Sequence, residues 1–227
     1  MSRALADEIL DRLVRVYDAA REPERAVRAA AYMRDQFPFL GMPAPTQVSL
    51  NRTVWAGLPK PTEDELRTVA LACWQLPERE YQYFACTYLR RHAAVPGPGF
   101  LPTLRTLIST KSWWDTVDLL ATRVVGTMVR RHPALGGEMD AWSADEDLWL
   151  VRTAILHQLN YAADTDADRL FGYCTRQAGH RDFFVRKAIG WALRQYARTD
   201  PDAVRAYVAD HRDALSGLSV REATKHL

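Results

Sequence analysis

A helical face that returns at a fixed interval sets the fold of this chain. Val151-Arg152-Thr153-Ala154-Ile155 comes back as Val185-Arg186-Lys187-Ala188-Ile189, an offset of 34 residues, and the same step backwards from Val151-Arg152 lands on Val117-Asp118. Apolar residues fall at helical spacing elsewhere too: Leu5, Ile9, Leu10, Leu13, Val16 and Tyr17 mark one face near the start, and Val151, Ile155, Leu156 and Leu159 mark another. Strand-like alternation is scarce. The punctuation is that of helix ends, at Glu22-Pro23, Pro43, Leu76-Pro77-Glu78, His132-Pro133 and Asp200-Pro201. About a dozen helices of ordinary length joined by short turns are expected.

A helical unit of this period buries its apolar stripe only by stacking on the next unit. The tetratricopeptide pattern of that length is absent, so the expected fold class is all-α, a HEAT-like helical repeat solenoid. Equivalent positions in such a stack share one surface, typically the concave one, so Asp118, Arg152 and Arg186 are expected near one another. The repeat fades before residue 100, although helices continue. Val95-Pro96-Gly97-Pro98-Gly99 is the one stretch that reads as an internal boundary. Helical patterning flanks it on both sides, so it is read as a loop within a single domain, 1–227.

Charge alone demands no polyanionic partner: 30 Lys+Arg stand against 28 Asp+Glu, a net +2. The residue types nevertheless suit one. Only Lys60, Lys111, Lys187 and Lys225 are lysines, so nearly all the cations are arginines, whose planar forks match phosphates, and there are seven tryptophans. Cys73, Cys86 and Cys174 are odd in number and outside any C-x-x-C pattern, against a disulfide framework or structural zinc. The start, MSRALADEILDRL, carries acids where a signal peptide needs an apolar run, and no stretch of about 18 apolar residues occurs. A cytoplasmic protein with no membrane association is expected.

The densest chemical signal is Lys111-Ser112-Trp113-Trp114-Asp115-Thr116-Val117-Asp118. Ser112 fits as an N-cap with Asp115 completing a capping box, for a helix running to about Arg131. Trp114 and Asp118 are four apart and share a face. An indole beside a carboxylate is either a packed surface pair or the wall and anion of a cationic site. A second cluster, Arg186-Lys187-Ala188-Ile189-Gly190-Trp191-Ala192-Leu193-Arg194, puts Lys187, Trp191 and Arg194 on one face. It reads as a solvated basic face with a buried tryptophan, or as a binder of phosphate backbone. Gly190 removes a side chain where another surface approaches.

These elements, with Tyr32-Met33-Arg34 leading into Phe37-Pro38-Phe39-Leu40-Gly41, resemble in order the AlkD family of bacterial DNA alkylation-repair glycosylases, over most of the chain. The resemblance implies a HEAT-like fold whose concave face binds duplex DNA and excises positively charged N3- and N7-alkylpurines. On the matching positions it implies Asp118 as the catalytic carboxylate, Trp114 and Trp191 as aromatic walls, and Arg152 as the cation beside them. Tyr32 would be a further contact at the lesion; Lys111, Arg186, Lys187 and Arg194 complete the expected DNA contacts. It also implies contact with the lesion's backbone and sugar while the base stays exposed, without base flipping. Where family members often carry basic residues, this chain has Pro45-Thr46-Gln47.

The chemistry suits these residue types. Alkylation at N3 or N7 makes the purine cationic and a good leaving group, and the C1′–N bond breaks with oxocarbenium character that a carboxylate stabilises. Departure neutralises the base, so no general acid is needed. No cofactor is expected. His92, His132, His157, His180, His211 and His226 form no metal-ligand spacing, and Asp164, Asp166 and Asp168 lack the glycine and glutamate of a calcium loop, reading instead as an N-cap and inter-repeat turn. Nothing around Lys111 or Lys187 suggests a Schiff base, so the expected enzyme is monofunctional, and it is expected to be a monomer. Two alternatives stay open. Val95–Gly99 followed by Asp118 imitates a helix-hairpin-helix glycosylase, although Pro98 removes a backbone N–H from the turn. A non-catalytic HEAT-like module binding DNA or protein is the other.

Overall fold

The computed structural model describes residues 2–227, with side chains from residue 4 onward. Every regular element among them is helical. The chain gathers into two compact units, Met1–Thr103 and Leu104–Leu227, and the division falls just after the Pro- and Gly-rich stretch. No helix among the described residues is long and apolar enough to cross a membrane.

The first unit holds α1 (Ser2–Asp18), α2 (Pro23–Tyr32), α3 (Ala44–Trp55), α4 (Glu63–Gln75) and α5 (Arg79–Arg91), followed by a short 3₁₀ turn. Helix α1 packs on α3 and α4, and α4 on α5. The face expected of α1 is the buried one at Leu5, Ile9, Leu13 and Tyr17, with Ala6 beside them, while Leu10 and Val16 are only half-buried. Tyr17 brings a polar tip into this core and satisfies it on Asn51 Oδ1 at 2.5 Å, while its ring stacks on Tyr81. A capping box forms at α4, where Thr62 N donates to Glu65 Oε2 at 2.7 Å and Thr62 Oγ1 accepts from Glu65 N. Between α2 and α3 the backbone N–H groups of Leu40 and Gly41 both donate to Glu80, each at 2.8 Å. Gly41 is required there: its φ is +89°, and a Cβ would lie 2.2 Å from the Glu22 carbonyl oxygen.

The second unit carries the repeat. Helix α6 (Leu101–Ser109) leads to α7 (Trp114–Leu119), which runs through a π-helical segment, Leu120–Val125, into α8 (Gly126–Arg131). Helices α9 (Gly136–Trp142), α10 (Leu148–Leu156), α11 (Ala167–Arg176), α12 (Phe183–Tyr196), α13 (Pro201–Asp210) and α14 (Gly217–Ala223) follow. The recurring face lies on α7, α10 and α12, and these pack in that order, with α14 on the far side of α12. Val117, Val151 and Val185 are all buried, as are Ala121, Ile155 and Ile189 one turn on. This is the packing of a helical repeat solenoid, in which each stripe is covered by the next unit. The inter-unit turns are closed by side chains: Asp147, Asp166, Asp182, Asp200 and Ser216 each accept a backbone N–H at the start of α10 through α14 in turn. Asp166 is thus the N-cap its sequence context suggested. Gly190 faces α14, where a Cβ would sit 2.4 Å from Glu222 Cβ and 2.9 Å from the Ser219 carbonyl oxygen.

The capping box expected at Ser112 and Asp115 does not form. Trp113 occupies the N-cap position; Ser112 Oγ turns back to donate to the Ile108 carbonyl, and Asp115 accepts the Thr116 N–H at 3.0 Å. Lys111 has a φ of +48°, a left-handed turn that reverses the chain between α6 and α7. That turn brings Ser112 under the last turn of α6, which takes its hydroxyl. The expected helix end at Arg131 is met, but the run to it contains the π segment.

Candidate active site

Asp118 and Arg152 meet across α7 and α10. The guanidinium grips the carboxylate with both arms, Nε to Oδ1 at 2.7 Å and Nη2 to Oδ2 at 2.8 Å, and its third nitrogen, Nη1, donates to the Phe184 carbonyl at 2.5 Å. The Arg152 side chain is 4% exposed, while that of Asp118 keeps 19% of its surface open. The cation is therefore fixed from behind and the carboxylate is presented at its front. Burial raises the Asp118 pKa above the ordinary carboxylate range; the Arg152 hydrogen bonds and charge oppose that rise but do not cancel it.

Three aromatic rings back this pair. Trp113, Trp149 and Phe184 lie with centroids 5.0 to 5.9 Å apart, and the Arg152 guanidinium sits 6.0 Å from the Phe184 ring centre. Each ring comes from the start of α7, α10 or α12, so the cluster ties together the three helix ends that place Asp118 and Arg152. The sequence carried only a partial signal for this cluster: Trp149 stands two places before Val151-Arg152 and Phe184 one place before Val185-Arg186, whereas Trp113 stands four places before Val117-Asp118. The π segment beginning at Leu120, two residues after Asp118, was also invisible to periodicity; such widened turns cluster at functional sites.

Trp114, half-buried, lies one turn before Asp118 on α7 and shares its face. Trp191, also half-buried, shares a face of α12 with Lys187 and Arg194. Those two cations both hold Glu222 on α14, Lys187 Nζ at 2.6 Å from one oxygen and Arg194 Nη1 at 2.5 Å from the other. The two cations hold the Glu222 pKa below its usual range, Lys187 contributing most. The sequence reading of a basic face had not anticipated this acid, because it lies 28 residues beyond Arg194. Arg186, at the third equivalent position, donates from Nε to the His180 carbonyl at 2.7 Å, a bond within its own turn. Lys111 stands in the left-handed turn before α7. Tyr32, in the first unit, ends α2 and is 75% exposed.

His157 is a core residue, its pKa lowered to about 4 chiefly by burial, with Nδ1 2.7 Å from the Ala154 carbonyl. No group of three or more His, Cys, Asp or Glu among the described residues is placed to hold a metal. Cys73, Cys86 and Cys174 are buried free thiols.

The family model for DNA alkylation repair enzymes matches residues 14–227. A solved structure from Enterococcus faecalis, named a predicted DNA alkylation repair enzyme, superposes with a TM-score of 0.84 at 30% identity, covering 91% of this chain and 96% of that one. No curated protein matches.

Proposed function

Because the chain belongs to the family of DNA alkylation repair enzymes, we propose that it is a monofunctional DNA glycosylase releasing cationic N3- and N7-alkylpurines from duplex DNA. The observation that carries this reading is the Asp118–Arg152 pair, a carboxylate gripped from behind and open at its front, with Trp114 on the same face. In the reaction the C1′–N9 bond breaks and its electron pair passes to the purine, which leaves neutral. The sugar becomes oxocarbenium-like. Asp118 stabilises that charge, and water adds at C1′, giving up a proton to the carboxylate or to solvent.

Indole faces of Trp114 and Trp191 favour the same developing cation, each by about 0.5–2 kcal/mol depending on desolvation. Arg152 orients the carboxylate and favours its ionised form against the pull of burial. Tyr32, Lys111, Arg186, Lys187 and Arg194 contact the DNA, the base stays outside any pocket, and the working form is a cytoplasmic monomer needing no cofactor. A carboxylate that acts on the sugar, with no pocket closed on the base, also admits bulky cationic adducts.

Release of 7-methylguanine and 3-methyladenine from alkylated duplex, identified by mass spectrometry, tests the reading. Asp118→Asn is expected to cut release by at least about 10²-fold, the scale of losing one electrostatic stabiliser, with duplex affinity nearly unchanged. Equal release by that variant would refute the role of Asp118, and no release by the native protein would refute the activity.

A further inference from the structure

Helix α2 stands apart from the rest of the first unit. It is amphipathic in sequence, yet none of its ten residues is buried. Arg25, Arg28 and Tyr32 follow i, i+3, i+7 and so share one face. That face borders a cleft of about 370 Å³, whose other wall includes Phe39, Gln47 and Tyr83. The Phe39 and Tyr83 rings lie 6.4 Å apart.

The charge of this cleft favours an anion. Arg28 is exposed and has no ion-pair or hydrogen-bond partner among the described residues, and Arg25 has only a long contact, 3.3 Å, to the exposed Glu22. The one acid in the lining, Glu80, is 3% exposed, and both its oxygens are already taken by the Leu40 and Gly41 N–H groups. It offers the cleft no free acceptor, and its single charge is outweighed by the two guanidinium groups. Two guanidinium groups without a firm partner beside an exposed phenol leave donors and a ring face open to a ligand.

The dimensions favour a polymer over a single ion. From Arg25 to Tyr32 the helix rises about 10 Å. A nucleic-acid strand advances about 3.4 Å per phosphate, so this face spans about three nucleotides. We propose that the cleft is a phosphodiester subsite in which Arg25 and Arg28 hold backbone phosphates of a DNA strand while Tyr32 packs on the adjacent sugar or base. This rests on the reading of the chain as a DNA glycosylase and adds to it two phosphate-binding arginines that the motifs did not identify. It also offers a replacement for the basic residues missing at Pro45-Thr46-Gln47, since Gln47 lines the same cleft.

The test is fluorescence-anisotropy titration of the full chain with a labelled undamaged duplex between 50 and 200 mM salt. Each guanidinium lost should flatten the slope of log K against log salt by about 0.9 and weaken binding at 0.1 M salt by up to about eightfold. Arg28→Gln should therefore lose one such increment, and the Arg25→Gln, Arg28→Gln double variant two. Tyr32→Leu should weaken binding up to about tenfold with the slope unchanged, as loss of a stacking contact does. All three residues are exposed, so unaltered thermal melting is expected. A double variant with the native slope overturns the subsite. So does a mononucleotide, dGMP, bound as tightly as the duplex with the same dependence on Arg28, since the site would then be for a free nucleotide. Release of 7-methylguanine by the native protein, measured in parallel, separates the two readings: release with unchanged slopes removes the cleft alone, whereas absence of both duplex binding and release removes both.

Discussion

Two ion pairs bridge neighbouring helices of the same stack, and they are built in opposite senses. Between α7 and α10, one buried guanidinium holds one carboxylate whose front is open. Between α12 and α14, one carboxylate is held by two cations, all three partly open to solvent. Their pKa shifts run in opposite directions, Asp118 upward through burial and Glu222 downward through Lys187 and Arg194. A similar crossing of helices thus yields a charge kept tense in one place and a charge put to rest in the other. The tense one is the candidate for chemistry.

The sharpest way to break this contrast is to remove the cation from the buried pair. Arg152→Ala leaves Asp118 largely desolvated without its partner and the Phe184 carbonyl without its donor. Breaking a buried pair on one side costs about 3–5 kcal/mol; the open front of Asp118 puts the loss at about 3 kcal/mol. Urea denaturation at neutral pH measures it. A loss under about 1 kcal/mol would mean that water already does the work assigned to Arg152, and the two pairs would then be alike.

Acidification should separate the pairs next. Asp118 acts ionised, and its folded pKa is raised, so release should fall about tenfold per pH unit below an inflection higher than an ordinary aspartate would give. The stability signs are opposite. A raised folded pKa means that the folded state binds the proton more tightly, so protonating Asp118 offsets its burial cost: this contribution is fully present below the unfolded pKa and lost as pH rises through the folded one. Glu222 has a lowered folded pKa, so its contribution is present above the unfolded value and lost as pH falls through the folded one. A single-turnover pH profile of 7-methylguanine release checks the first statement. An acid limb at the ordinary aspartate position would show that Asp118 is as well solvated as Glu222.

Much of this was legible in the sequence, and the parts that were not share a cause. The 34-residue step fixed which helices are neighbours, so the Asp118–Arg152 pair could be read from numbering alone. The all-helical class and the end of the α7–α8 run followed from periodicity and proline placement. Failures came where one residue's partner was set by a turn rather than by the repeat. Ser112 matched an N-cap pattern, but the left-handed turn at Lys111 carried it under α6, leaving Trp113 at the cap. Arg186 holds the equivalent place to Arg152, yet the His180 carbonyl in its own turn captured it. Glu222 was missed because α14 carries the signature one residue out of step: Val220-Arg221-Glu222-Ala223 repeats Val-Arg-x-Ala 35 residues after Val185-Arg186, so the 34-residue step does not land on it. Gly190 did carry the hint, as a residue left small where another surface comes close; that surface is α14.

The smallest expected effect falls on the quieter pair. Glu222→Gln removes one acid from between Lys187 and Arg194, whose side chains are 38% and 22% exposed. Both contacts reach solvent, so screening keeps their joint worth low, and the stability loss should be about 0.5–1 kcal/mol. The functional consequence has the opposite sign. Freed of Glu222, the two cations on the Trp191 face no longer share their charge with an acid, so their phosphate contacts should strengthen: duplex affinity should rise severalfold at low salt and the salt dependence should steepen by up to about 0.9 for each further phosphate charge neutralised. Anisotropy titrations of native and variant protein at 50 and 200 mM salt measure both. If affinity is unchanged and the slopes coincide, Lys187 and Arg194 are structural ties of α12 to α14 and leave the list of DNA contacts. If affinity rises as expected, Glu222 is the residue that holds undamaged DNA weakly, so that the protein is not retained on the vast excess of sequence carrying no lesion.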